Sequence, residues 1–217
     1  MYKRVHGSHD EIKPNPRCPS LFLSFLLLVL CTPFQINVDK AHFTAEAGIT
    51  LNALHTALAQ SNLAMSNLGS ISEQTLGGVI TTATHGSGIT FPVIAKSVLS
   101  LTLLLADGSR VTCSSTLNSH IFNATLSGIG STGIILSIQM KVEKAFRLKE
   151  HSEMIPFESF IRNMDTLVRS AEHVRFWWFP AANTVRCNYA NRTTDAISPG
   201  ANWFWDRLLG YHAIQAL

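Results

Sequence analysis

Residues 67–88 read NLGSISEQTLGGVITTATHGSG, and this stretch indicates what kind of fold the chain adopts. It is dense in Gly, Ser and Thr, and its only ionisable residues are Glu73 and His85. Glycine lets a backbone approach a ligand closely, and small hydroxyl side chains add hydrogen-bond donors without bulk. Backbone N–H groups at a turn can also hold an anion. The segment therefore predicts a phosphate cradle beside a flat ligand surface, although a tightly packed turn without a ligand would have the same composition.

The sequence on either side of this segment indicates alternating strands and helices. Residues 40–47 alternate as a strand with Phe43 and Ala45 on one face, and Thr50 is placed to cap an amphipathic helix that ends near Asn62. Further predicted elements are a hairpin of residues 98–105 and 110–113, a helix over 118–126, a turn over 127–133, and strands over 134–142 and 173–179. The fold class is therefore α+β, with antiparallel hairpins and short helices.

Composition limits the possible functions. The 217 residues suffice for one domain, or for one domain and part of another. The content is 46% hydrophobic and 14% charged, which is typical of a globular chain. The net charge of +3 is not gathered into a basic stripe, so no nucleic-acid partner is expected. The four cysteines form neither a C-x-x-C pair nor a zinc pattern, so we expect reduced, mostly buried thiols and no metal site.

Residues 1–36 differ from the remainder of the chain. A polar, basic stretch precedes an uncharged apolar run of 11 residues, Leu21 to Cys31. A membrane-spanning helix needs about 20 such residues. Three interpretations stay open for this segment: a membrane-associating anchor, a buried strand or helix, or sequence that does not belong to the working fold.

A family resemblance adds to these observations. Residues 45–88, AEAGITLNALHTALAQSNLAMSNLGSISEQTLGGVITTATHGSG, resemble the corresponding block of the aldonolactone oxidases. The similarity continues through LTLLLADGSRVTCS (101–114) and GSTGIILSIQMKV (130–142). The segments HVRFWWFPAANTVRCNYANRT (173–193) and WFWDRLLGYH (203–212) resemble the opening of the cap domain in the fungal D-arabinono-1,4-lactone oxidases of this family.

The resemblance implies a fold and a domain organisation. Residues 37–145 would form the second subdomain of a vanillyl-alcohol-oxidase-type, or PCMH-type, FAD-binding domain, which has a mixed or antiparallel sheet with flanking helices. Residues 146–217 would begin an α+β cap domain that binds substrate, and residues 1–36 stay unmatched. The family's glycine-rich "G-x-G-H-S" loop, whose His links covalently to the flavin, has no counterpart here, because Gly7, Ser8 and His9 stand in the wrong order.

The resemblance also implies flavin contacts at matching positions. The loop that meets the flavin would supply Ser70, Thr75 and Gly78. The following backbone would run along the cofactor at Thr82, Ala83, Thr84 and His85, and the His85 imidazole would be structural. The strand at Ile134 and Ile135 would touch the ring system or the adenosine part. No residue of this chain can be named as a catalytic base.

The implied function is FAD-dependent oxidation of a sugar-acid 1,4-lactone of the D-arabinono type. The partners would be the lactone and oxygen, and the products a dehydro-ascorbate-type compound and hydrogen peroxide. The alternatives are a catalytically incomplete fragment and a membrane-associated remnant of such an oxidase. The resemblance places the protein at the mitochondrial membrane, whereas a cytoplasmic location follows if residues 1–36 are not an anchor.

The aromatic run Phe176 to Phe179 needs a separate interpretation. In a strand, Phe176 and Trp178 face one side, and Trp177 and Phe179 face the other. Because large aromatic side chains dominate protein cores, we expect burial of these rings rather than stacking on a sugar.

Overall fold

The computed structural model describes residues 34–196. In this range the chain divides into two compact units, one made of residues 34–87 and 91–145 and the other of residues 88–90 and 146–196.

The first unit contains a five-stranded antiparallel sheet in the order β1-β2-β6-β4-β5. The strands of this sheet are β1 (Gln35–Asn37), β2 (His42–Glu46), β4 (Val98–Leu104), β5 (Arg110–Ser114) and β6 (Ile134–Lys141). The unit also has a separate two-stranded sheet, in which β3 (Leu63–Ala64) pairs with β7 (Glu143–Lys144). Its helices are α1 (Leu51–Gln60), α2 (Leu76–Thr81) and α3 (Ser119–Thr125), with a 3₁₀ turn at Ile94–Ser97.

Alternation along β2 builds the core of this unit. Phe43 and Ala45 are buried on one face, as predicted, and lie opposite Met140 and Ile138 of β6. Leucines of α1 at spacings of three and four complete the core; they are Leu51, Leu54 and Leu58. The predicted cap is confirmed, because the Thr50 Oγ1 accepts a hydrogen bond from the Ala53 N–H at 3.3 Å.

Most of the predicted elements are confirmed, and several elements were missed. The hairpin β4–β5, the helix α3 and the strand β6 lie where the patterns placed them. No pattern predicted α2, because Gly and Thr are poor helix formers. The three elements β8, α4 and β10 of the second unit were also missed. Nine of the ten residues of β8 are exposed, so its sequence shows no alternation of apolar and polar residues.

The second unit is a three-stranded antiparallel sheet in the order β8-β10-β9. Its elements are β8 (Arg147–Pro156), α4 (Phe157–Leu167), β9 (His173–Phe179), a 3₁₀ turn at Pro180–Ala182, and β10 (Thr184–Thr193). The helix packs on one face of the sheet, where the ring of Phe160 meets that of Phe176 with centroids 4.8 Å apart. On the same face Phe157 stacks on Trp178 at 4.9 Å.

The faces of the aromatic run are as predicted, but its burial is not. Phe176 and Trp178 both contact α4, so Trp177 and Phe179 lie on the opposite face. In the part of the chain that the structure describes, Trp177, Trp178 and Phe179 are 54%, 55% and 46% exposed. The expectation of burial is therefore wrong for these three rings, because α4 covers only one face of the sheet and covers Trp178 incompletely.

The cysteine prediction is confirmed for the two thiols in the described range. Cys113 and Cys187 are free and buried, and desolvation raises the pKa of each thiol. Cys18 and Cys31 lie outside the described residues, as do the apolar run and the segment at residues 203–212. No helix between residues 34 and 196 is long and apolar enough to cross a membrane.

Replacing Phe43 tests the core of the first unit. The ring is fully buried and lies 5.6 Å from that of Phe34, so Phe43→Ala should leave a cavity and lower the free energy of unfolding by about 3–5 kcal/mol. Val38 is 57% exposed, and Val38→Ala should change the free energy of unfolding by less than about 0.5 kcal/mol. Urea unfolding measures both values, and equal effects of the two substitutions would contradict the packing described.

Candidate functional site

A cleft of about 310 Å³ opens in the first unit where β2 ends and where α2 and β6 begin. Its lining residues are Ala47, Gly48, Thr75, Gly77, Gly78, Thr81, Gly130, Gly133, Ile134 and Ile135. Half of these ten are glycines, and none has an ionisable side chain. The walls are therefore made mainly of backbone, two threonine hydroxyls and the apolar side chains of two isoleucines.

Main-chain hydrogen bonds hold the start of α2 against the end of β2. The Gly77 N–H donates to the Ala47 carbonyl at 2.8 Å, and the Leu76 N–H donates to the Ile49 carbonyl at 2.8 Å. A Cβ at Gly77 would lie 3.1 Å from the Ala47 Cβ and 3.2 Å from the Ala47 oxygen. The absence of a side chain at Gly77 is therefore what lets the helix approach the strand so closely.

The two threonines of the cleft fix the short helix α2. The Thr75 Oγ1 accepts from the Gly78 N–H at 3.2 Å and so caps the helix. The Thr81 hydroxyl donates to the Gly77 carbonyl at 2.9 Å. Because the Thr75 hydroxyl acts as the acceptor in its bond, its own hydrogen can still be donated to a ligand.

The loop before β6 forms the third wall of the cleft, beside the end of β2 and the helix α2. The Ser127 N–H donates to the Ile80 carbonyl at 2.8 Å, and the Ile129 N–H donates to the Thr81 carbonyl at 3.0 Å, so the loop is tied to the end of α2. Gly133 has a φ of 144°, and a Cβ there would lie 2.6 Å from the Leu104 carbonyl oxygen. Only glycine fits this position without displacing the backbone of β4.

The segment after α2 does not line the cleft. The Thr82 hydroxyl donates to the Gly78 carbonyl at 2.8 Å, and the Thr84 carbonyl accepts from the Ile94 N–H at 2.9 Å. Ala83 lies between them with a φ of 55°. The exposed His85 has its Nδ1 2.9 Å from the Gly86 carbonyl oxygen.

Asn67 joins this segment to the loop that carries Ser70. Its Nδ2 donates to the Ser87 carbonyl at 3.1 Å, and its Oδ1 accepts from the Leu68 N–H at 2.9 Å. One asparagine side chain thus connects the two ends of the Gly- and Thr-rich stretch. Ser70 itself is exposed.

The structure brings together part of the predicted set. Thr75, Gly78, Ile134 and Ile135 meet in the cleft, although Ile134 lies 56 positions after Gly78 in the sequence. The other five predicted contacts, Ser70, Thr82, Ala83, Thr84 and His85, lie outside its lining and stay predictions. The lining residues that the sequence reasoning missed are Ala47, Gly48, Gly77, Thr81, Gly130 and Gly133. The glycine density of LGG and of SGIGSTG was the available signal for several of them.

The cleft suits a ligand that is held by backbone and apolar contact. Glycine walls allow close approach, and the isoleucines offer a flat apolar surface. These properties fit part of a flavin dinucleotide, which combines a planar ring system with a pyrophosphate. With no ionisable group among the lining residues, the cleft can position and desolvate a cofactor, but it supplies no general acid or base.

Two glycines of the same loop provide a matched test of the third wall. Gly130 has a φ of 72°, and a Cβ added there would meet nothing within 4 Å, so Gly130→Ala should cost only the backbone strain, about 1 kcal/mol. Gly133→Ala adds a collision with Leu104, so it should lower the free energy of unfolding by about 2–4 kcal/mol. Urea unfolding compares the two variants. A larger loss for Gly130→Ala would show that the loop is placed differently.

Two protein families match different parts of the sequence. A family model described as "FAD binding domain" matches residues 26–114, and one described as "D-arabinono-1,4-lactone oxidase" matches residues 138–217. The L-gulonolactone oxidase of Scyliorhinus torazame is 37% identical over 84% of this chain and 42% of its own length. The D-arabinono-1,4-lactone oxidase of Yarrowia lipolytica is 36% identical over 82% of this chain and 37% of its own length.

Solved structures agree in fold. A solvent-stable cholesterol oxidase superposes with a TM-score of 0.69 at 24% identity, covering 77% of this chain and 35% of that one. Cholesterol oxidase from Brevibacterium sterolicum superposes with a TM-score of 0.68 at 20% identity, covering 85% of this chain and 40% of that one. Identities this low show the fold alone, and they confirm the predicted α+β class and the PCMH-type FAD-binding fold.

The sequence matches indicate more than the fold, because the relatives share a kind of substrate in their names. Over most of the length of this chain, the aligned parts of relatives from animals and yeasts are about one-third identical to it, and these relatives carry the names of sugar-lactone oxidases. The chain spans less than half the length of these relatives. Over most of its length the chain is therefore similar to the aldonolactone oxidases, and one part of it matches an FAD binding domain.

Proposed function

We propose that this chain binds FAD in the cleft between β2, α2 and β6 and takes part in oxidising a sugar-acid 1,4-lactone with oxygen. The observation that carries the proposal is the cleft itself, which is walled by glycine backbone and lacks ionisable side chains. Such a site needs a cofactor to supply reactivity, and the match of residues 26–114 to an FAD binding domain supports FAD as that cofactor.

Each wall of the cleft has its own part in holding the cofactor. The backbone at Gly77 and Gly78 allows close contact, and the Thr75 hydroxyl can donate one hydrogen bond to a cofactor oxygen or nitrogen. Ile134 and Ile135 give an apolar surface that excludes water. When bound, FAD supplies the electron transfer, in which the C2 carbinol of the lactone loses two electrons and two protons and oxygen gains them as hydrogen peroxide.

The substrate class is a five-membered sugar-acid lactone. The family model over residues 138–217 favours a lactone of the D-arabinono type, whereas the relatives from animals carry the name L-gulonolactone oxidase. Both substrates share a hydroxyl-bearing lactone ring. We propose the D-arabinono type as substrate, and a peroxide assay with each lactone in turn discriminates between them.

We also propose that the apolar run over residues 21–31 attaches the protein to a membrane surface, in fungi that of the mitochondrion. Its 11 uncharged residues are fewer than the roughly 20 of a spanning helix, which favours shallow attachment. Purified protein should float with lipid vesicles in a density gradient, and the double variant Leu26→Asp/Leu28→Asp should stay at the bottom. Equal flotation of the two proteins, or none by the wild type, would contradict the attachment.

Replacement of Thr75 tests the cofactor site. Thr75→Val keeps the side-chain shape but removes both the helix cap and the available donor, so FAD should bind roughly tenfold more weakly. The control is Thr56→Val on α1, where the hydroxyl donates to the Asn52 carbonyl of its own helix and does not line the cleft. FAD affinity is measured from the change in flavin absorption as the cofactor is titrated.

Two results would count against the proposed cofactor site. One is a wild-type chain that takes up no FAD. The other is an equal affinity for FAD in Thr75→Val, Thr56→Val and wild type. A chain that binds FAD but forms no hydrogen peroxide with either lactone would retain the cofactor proposal and reject the oxidase activity.

A further inference from the structure

The helix α4 has an apolar stripe that the sheet of the second unit covers only in part. Phe157 and Phe160 contact rings of β9. Ile161 lies one turn after Phe157, and Met164 lies one turn after Phe160, so both belong to the same stripe. No residue of α4 is buried, and the side chains of Ile161 and Met164 are 52% and 43% exposed.

These side chains form one apolar surface with Trp178 of β9. The indole ring of Trp178 is 55% exposed and stacks on Phe157 with centroids 4.9 Å apart. Single exposed apolar side chains are normal on a protein surface, whereas a contiguous group of them marks an interaction surface. We name this surface, made of Phe157, Ile161, Met164 and Trp178, the α4 patch.

The charges beside the α4 patch favour a polypeptide as its partner. The polar side of α4 carries Glu158, Arg162 and Asp165, all exposed and of both signs. A helix that binds a lipid surface carries mainly Lys and Arg on its polar side. An apolar segment with charges of both signs of its own is the partner that suits the α4 patch.

The chain leaves β10 on the side of the sheet that carries α4. Ile155 of β8 stands in the same row as Trp178, so Lys149 and Arg147, six and eight positions earlier on β8, lie on the same face. The Lys149 Nζ is 2.9 Å from the Asp195 Oδ2, and the Arg147 Nη1 donates to the Asp195 carbonyl at 2.9 Å. Asp195 is therefore held on the α4 side.

The segment that follows has a suitable composition and can reach the patch. The row of Trp178 contains Val185, eight positions before Thr193, so the α4 patch begins about 26 Å from Thr193 along β10. The ten residues from Thr193 to Trp203 span up to about 33 Å. Residues 203–212, WFWDRLLGYH, contain one acidic and one basic residue and six large apolar or aromatic residues, which are Trp203, Phe204, Trp205, Leu208, Leu209 and Tyr211.

We infer that residues 203–212 bind the α4 patch of their own chain and cover the apolar stripe of α4. A short tether gives such a segment an effective concentration in the millimolar range, roughly a thousandfold above that of a second copy at micromolar concentration. The inference goes beyond the proposed function, because it assigns a partner to a surface of the second unit and does not depend on FAD or on a lactone.

Photo-crosslinking from α4 identifies the partner of the patch. Benzoylphenylalanine replaces Ile161 in the full chain, and mass spectrometry maps the cross-linked peptides after irradiation. We expect links to residues 203–212 in a product that migrates as one chain. The control places the same probe at Met154, which is 56% exposed and lies on the face of β8 opposite to that of Ile155, and it should give no links to this segment.

A second variant tests the segment itself. Leu208→Asp/Leu209→Asp would place two charges against the α4 patch, so it should lower the yield of the link about tenfold. An unchanged yield would overturn the inference, as would links from Ile161 only to a second chain, links only to other segments, or no links at all. Thermal unfolding checks that each variant is folded, and Leu208→Ala/Leu209→Ala replaces the double aspartate variant if that variant does not fold.

Discussion

The backbone of Ala47 joins the elements on which the candidate cofactor site depends. Its N–H donates to the Leu136 carbonyl of β6 at 3.1 Å, and its carbonyl accepts from the Gly77 N–H of α2 at 2.8 Å. One residue at the end of β2 therefore fixes both the strand and the helix that form the cleft walls. Buried main-chain groups are costly to leave unpaired, so this arrangement resists distortion.

A site built in this way has a definite chemical character. Its shape follows from backbone geometry at Gly77 and Gly133, and its surface carries no charge of its own. It can hold a large cofactor closely and keep water away, whereas the reactivity has to come from that cofactor.

Local patterns in the sequence were sufficient to predict the elements that have one buried face. The alternation around Phe43 and the capped leucine helix after Thr50 predicted β2 and α1. They were not sufficient for α2, whose Gly77 and Gly78 lower helix propensity. That helix is held by bonds to Ala47 and Ile49, which are distant in sequence, and by the Thr75 cap. The exposed strand β8 gave no alternation to detect.

The residues of the cleft, like the elements of the fold, were only partly predictable from the sequence. The family resemblance identified Thr75, Gly78, Ile134 and Ile135, whereas the remaining cleft residues were indicated only by glycine density. Nothing in the local sequence shows that Gly133 must lack a side chain, because the atom it would strike belongs to Leu104, 29 positions earlier. Trp177 was expected to be buried because large aromatics usually are. The structure leaves its ring 54% exposed instead, because α4 packs against Phe176 and Trp178 on the other face of the strand.

Hydrogen–deuterium exchange with and without FAD tests the central claim, that this backbone cleft is the cofactor site. Binding suppresses local opening where the ligand contacts the chain. We predict that added FAD slows amide exchange most in residues 47–49, 75–82 and 129–136, and much less in the β4–β5 hairpin. Slowing confined to other segments, or no slowing at saturating FAD, would contradict the claim.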